Sequence, residues 1–215
     1  MSSIADEHVE WAIVHRLKAM LDEPPQTIFN VTQTFALFSS VLLWTKNRAW
    51  VAGNCRERRE WQDDADRRAH DFREAMRDKQ ITEDPWRLSL IVPQFVLIDR
   101  AEMREIPEQR INADFKDMSA EEFFKWLRDA LAHGDGRTIK PIHKSCERTG
   151  KTLLAGFRVK FPAERRVRRT LKLHLYHEDM RRIGSVLADN FCKALDGRDR
   201  YSEQEVGIEE VAQSA

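Results

Sequence analysis

The 215 residues carry 36 Lys and Arg against 36 Asp and Glu, a formal net charge of zero, with 41% apolar and 33% charged residues. That composition suits one domain with its own core and a heavily solvated surface, and it excludes a fibrous, low-complexity or disordered chain. The first residues, MSSIADEH, lack the basic and apolar regions of a secretory signal, and no stretch reaches the uncharged length a bilayer demands. The expected setting is cytoplasmic, with no membrane partner.

Along the chain, residues 3–21 place Val9, Ile13, Leu17 and Met20 at steps of three and four, which predicts a helix with one buried face, ended by Pro24 and Pro25. Residues 27–50 are apolar around most of a helical circumference, through Ile28, Val31, Phe35, Phe38, Val41, Leu42 and Trp44. They predict a central helix packed on several sides, stopped by Gly53. Residues 54–80 are dense in charge but keep Trp61, Ala65, Ala69, Phe72 and Met76 in a stripe, with Asn54 and Glu57 as a capping pair. This is a long exposed helix with a narrow seam for one partner, either its own bundle or another subunit.

Asp84 and Pro85 read as a helix start, followed by the apolar run 88–98, which Pro93 kinks or splits. Residues 106–117 read as a polar connector. The next helix, 120–133, is announced by Ser119 as cap, Glu122 completing a capping box, Met118 and Phe123 as a hydrophobic staple, and Gly134 as its stop. Residues 152–161 and 170–176 partly alternate apolar and polar, which predicts a small antiparallel sheet of two or three strands. Residues 177–195 return to helical spacing through Met180, Ile183, Leu187, Phe191 and Ala194.

The expected fold is mainly α: an up-and-down helical bundle spanning 1–196, with a basic β appendage at 136–176 inserted before the last helix. Residues 197–215 form a flexible acidic tail. The three cysteines, Cys55, Cys146 and Cys192, have neither disulfide nor zinc-ligand spacing, so reduced structural thiols are expected, with no metal and no cofactor.

The zero net charge conceals an asymmetry. Between residues 136 and 182 fourteen Lys and Arg stand against four Asp and Glu. Such a surface attracts polyanions because neutralising phosphates releases counterions. Lys140, Lys144 and the run Arg165, Arg166, Arg168 and Arg169 are the candidate RNA contacts, although a solvated basic face or an exposed turn beside Pro162 would look the same. His143, His174 and His177 lie in the same region, as phosphate contacts or as solvated or structural residues.

The segment FFKWLRDALAHG, 123–134, brings Arg128, Asp129 and His133 to the end of the capped helix. The bare Arg-x4-His spacing carries little weight, since composition alone supplies about one such match by chance. Arg169 and His174 repeat it in a predicted strand. What sets 128–133 apart is the cap, the polar residue after the Arg, the small Ala130 and Ala132, and the Gly that follows.

This segment resembles the HEPN superfamily (higher eukaryotes and prokaryotes nucleotide-binding), whose motif is Arg, then Asn, Asp or His, then a short spacer and His near a helix C-terminus. The resemblance implies a helical bundle that dimerises so that two motifs face each other. It also implies, as in many members, a metal-independent endoribonuclease, a toxin or defence effector with RNA as substrate and an antitoxin protein as possible partner. The alternative within the resemblance is a catalytically silent module that binds RNA, a nucleotide or a protein. Some members carry a Tyr two residues after the His as a nucleotidylation site; here that position is Asp135.

The chemistry fits the residue types. RNA is cleaved without metal when its 2′-hydroxyl attacks the adjacent phosphate, and an imidazole, with an unperturbed pKa of about 6.5, can move the proton. A guanidinium offers a fork that matches phosphate oxygens. Positions five apart on a helix point about 140° away from each other, so Arg128 and His133 need a second chain to complete one site. Asp129 and His133, four apart, share a face, and the carboxylate is expected to orient the ring. A structural reading stands beside this one, with Arg128 pairing Asp129 or Glu122 and His133 as a favourable charge at the helix's negative end. Trp126 is the one aromatic near the motif that could stack on a base.

Overall fold

The structure is a computed structural model that describes residues 9–24, 28–50, 60–93, 97–99, 104–105, 111–161 and 170–195. Its elements, in chain order, are α1 (Val9–Asp22), α2 (Asn30–Trp50), α3 (Glu60–Ala75), β1 (Leu97–Asp99), β2 (Arg104–Glu105), α4 (Ala120–Ala132), β3 (Ile139–Ser145), β4 (Thr152–Lys160), β5 (Lys172–Tyr176) and α5 (His177–Leu195). The Asn54–Glu57 cap, the Gly53 stop, the run from Arg165 to Arg169 and the acidic tail lie outside the described residues.

Among the described residues five α-helices accompany a five-stranded antiparallel sheet ordered β2-β1-β3-β4-β5, so the fold is mixed α and β rather than mainly α. The sheet is larger than expected because β1, from the chain between α3 and α4, pairs with β3 and carries β2 on its other side. One cluster of buried residues draws on all five helices and on Val159, Leu173 and Leu175 of the sheet. Among the described residues no helix is long and apolar enough to cross a membrane.

α5 is the hub, with Met180, Ile183, Leu187 and Phe191 fully buried. α1 meets it through a face rotated from the expected one: Trp11, Val14 and Leu21 are buried, whereas Met20 is 49% exposed. The anchor is the indole of Trp11, which donates to the Cys192 carbonyl at 3.0 Å and so removes the cost of burying a polar N–H. The α3 seam is satisfied inside the chain, since Phe72 packs edge-on against Phe191 with ring centroids 5.6 Å apart. Nothing is described of the Trp61 side chain.

The expected helix over 85–98 does not form. Arg87 takes a left-handed backbone (φ 48), and Leu88 N–H donates to the Ile81 carbonyl. Trp86 and Leu88 each bury, at 2% and 3% exposure. The guanidinium of Arg182 holds the turn by donating to the carbonyls of Trp86 and Arg87. A short apolar run is compatible with helix or strand, and tertiary contacts decided for turns over residues 81–86 and non-helical chain over residues 87–93.

The predicted polar connector is likewise pinned. Asn112 is buried with φ 62, and its amide serves the edge of β5 away from β4 as a further strand would. It accepts from His174 N–H (2.9 Å) and donates to the carbonyls of His174 (3.0 Å) and Ser89 (2.8 Å). Replacing it leaves buried backbone groups unpaired, so Asn112→Ala is expected to cost about 2 kcal/mol in urea unfolding. An unchanged midpoint would show that this edge does not need its amide.

Candidate functional site

α4 begins at the expected Ser119 cap. Ser119 Oγ accepts from Glu122 N–H at 3.2 Å, and Phe123, Phe124 and Leu127 are fully buried beneath the helix. Its end differs in cause. Gly134 is not left-handed; a Cβ there would lie 2.9 Å from the Ala130 carbonyl and 2.4 Å from Ile139 Cδ1, so the glycine permits a tight passage into β3. Asp135 then ties the turn, accepting from Arg137 N–H and Nε, which pulls its carboxyl down to about 2.

The three motif residues separate into two places. Arg128 turns toward α2, where Nη2 donates to Asn47 Oδ1 at 2.9 Å and Nη1 to Asp129 Oδ1 at 3.0 Å; its Nε is buried without an acceptor. His133 caps the helix through its backbone N–H to the Asp129 carbonyl, at 3.2 Å, and its imidazole is exposed. The ring makes no hydrogen bond or ion pair with a described residue.

The expected Asp129–His133 pairing is therefore absent among the described residues. Two cations compete for the carboxylate, Arg128 at 3.0 Å and Lys46 at 3.8 Å. His133 also leaves helical geometry (φ −106, ψ 9), which swings it off the face of residue 129. Its exposure and its position after α4 keep it available to a second molecule.

Two contributors from α2 were not read from the sequence, Asn47 and Lys46. Lys46 is 9% exposed, and its ammonium has one described ion-pair partner, Asp129. Burial lowers its proton affinity, and Arg128 adds to that, with Asp129 acting in the opposite sense. The available signal was a lysine in a helix otherwise apolar on most sides. Farther along the same seam, Glu121 accepts from Arg73 Nε (2.8 Å) and Trp50 Nε1 (2.9 Å), with the Arg73 guanidinium 5.6 Å from the Trp50 ring centre. Among the described residues, Lys46, Arg128 and Arg73 of α3 thus stand against Asp129 and Glu121 along this seam, three cations to two carboxylates, a setting that favours an oxyanion.

The remaining candidates scatter. Lys140 is exposed on β3, but Lys144 lies about 13 Å away along the strand. It borders a cleft of about 670 Å³ with Phe29, Leu153, His177 and Glu178. His177 Nε2 meets Thr34 Oγ1 at 2.9 Å. His174 is largely buried, and burial with the nearby Arg158 and Lys172 pushes its pKa down to about 4, so it is neutral at pH 7. Trp126 packs toward Phe161, ring centroids 6.2 Å apart, rather than toward the motif. Among the described residues no group of three or more His, Cys, Asp or Glu is arranged to hold a metal ion.

No known family model matches the chain, and no curated protein or solved structure matches it either.

Proposed function

We propose that this protein is a metal-independent endoribonuclease of HEPN type, working as a homodimer in which Arg128 of one copy and His133 of the other flank the scissile phosphate. The observation that carries this reading is the division of labour at the end of α4: an ordered guanidinium held by Asn47 and Asp129, and an exposed imidazole five residues on. His133 accepts the 2′-hydroxyl proton, and the 2′ oxygen attacks phosphorus. The bond to the 5′ oxygen breaks, leaving a 2′,3′-cyclic phosphate, and the 5′ oxygen takes a proton from water. Arg128 stabilises the charge that develops on the phosphate oxygens. A toxin-like activity of this kind would be held in check by a cognate antitoxin protein.

A second reading has its own support. Both terminal nitrogens of Arg128 are already engaged, which suits a catalytically silent HEPN-like module that binds RNA, a nucleotide or a protein.

The test is incubation with single-stranded RNA in EDTA, comparing the unmodified protein with His133→Ala and Arg128→Ala. Cleavage to cyclic-phosphate ends by the unmodified protein alone is the expected result. Cleavage that survives in both variants would remove the site from the mechanism, and binding without any cleavage would favour the silent module.

A further inference from the structure

Strands β3, β4 and β5 carry five Lys or Arg and no Asp or Glu. Their register sorts these charges by face, because residues directly opposite on paired strands point the same way. Lys140 pairs with Arg158, which pairs with His174, and Lys160 pairs with Lys172 two residues farther along. The alternating residues Phe157, Val159, Leu173 and Leu175 turn to the other side and join the helical core. One face of the sheet therefore gathers Lys140, Arg158, Lys160 and Lys172.

None of these four ion-pairs with a described residue. Arg158 is half-buried, with its Nε covered, so Lys140, Lys160 and Lys172 present the more accessible charges of the face. His174 in the same row stays neutral and adds no positive charge at pH 7.

We infer that this face is a track for the backbone of single-stranded RNA, separate from the Arg128 site and delivering the strand to it. The choice of RNA rests on the ribonuclease reading; the choice of a single strand rests on shape. Three strands make a strip about 10 Å across, and the two basic rows lie about 7 Å apart. That strip accommodates one sugar-phosphate backbone, whereas an A-form duplex offers its phosphates across grooves that a flat sheet face does not enter. Neither row holds a Phe, Tyr or Trp, and the one imidazole, His174, is largely buried, so the track holds phosphates without reading bases.

The test uses a fluorescent single-stranded RNA with 2′-O-methyl groups, which cannot be cleaved by 2′-hydroxyl attack, titrated at several salt concentrations. Lys160→Gln with Lys172→Gln is expected to weaken binding about tenfold and to reduce the salt slope by about 1.4, the value for two lost single-strand phosphate contacts. Arg158→Gln serves as an independent second variant, and the melting temperature of each is checked to confirm folding. Arg128→Ala, which removes one phosphate contact at the separate site, is expected to lower the slope by only about 0.7. Unchanged affinity and slope in folded Lys160→Gln/Lys172→Gln would overturn the track. So would preferential binding of duplex RNA, or of phosphatidylserine vesicles in place of RNA. Loss of binding in this variant, with natural RNA left uncleaved by the unmodified protein, would retain the track and remove the nuclease reading.

Discussion

His133→Ala is expected to lower RNA cleavage about 100-fold or more, the usual contribution of a positioned acid or base, while leaving the unfolding midpoint in place. The second half follows from its surroundings: the ring is exposed and has no hydrogen bond or ion pair with a described residue, and the cap it provides is made by its backbone. Arg128→Ala is expected to lower cleavage comparably but also to cost about 2 kcal/mol, because Asn47 loses its donor and Asp129 keeps only the longer contact to Lys46. Kinetics in EDTA and urea unfolding of the same preparations separate the two effects. Equal destabilisation by the two variants, or undiminished cleavage in His133→Ala, would contradict these assignments.

Acid is expected to weaken the fold through His174. Its pKa falls from 6.5 to about 4 on folding, chiefly by burial and then by Arg158 and Lys172. Below pH 6.5 the unfolded chain binds a proton that the folded chain refuses, so stability declines as pH drops and levels off below about 4. The full shift corresponds to about 3 kcal/mol. His177, also lowered by burial, acts in the same direction. Asp179 opposes both: burial raises its carboxyl, so protonation there favours the folded state as pH falls. The difference between the unmodified protein and His174→Gln isolates the histidine, and urea midpoints from pH 7.5 to pH 4.5 are expected to show a shallower decline in the variant. Parallel declines would show that His174 is protonated equally in both states.

Much of the motif helix was legible because its signals are local. Ser119 caps Glu122 N–H as its spacing implies, and the buried side of α4 follows the 3.6-residue period through Phe123, Leu127 and Ala130. Where a distant partner decides, local pattern misled. The run after Pro85 became a turn and non-helical chain because Arg182, almost a hundred residues on, holds the Trp86 and Arg87 carbonyls. Strands β1 and β2 were missed because three-residue and two-residue segments show no periodicity, and their stability comes from pairing, β1 with β3 and β2 with β1. At the site itself, Arg128 and His133 were visible as types and spacing. Lys46 and Asn47 were not, because α2 approaches α4 only in the folded chain.

Mixing two inactive variants shows whether Arg128 and His133 of different copies share one site. His133→Ala and Arg128→Ala, each inactive alone, are combined in equal amounts after exchange of subunits, and RNA cleavage is measured in EDTA. Half the dimers then contain one of each chain and one intact composite site, so about a quarter of the original activity is expected to return. No recovery in mixtures shown to contain mixed dimers would contradict a site built from two chains.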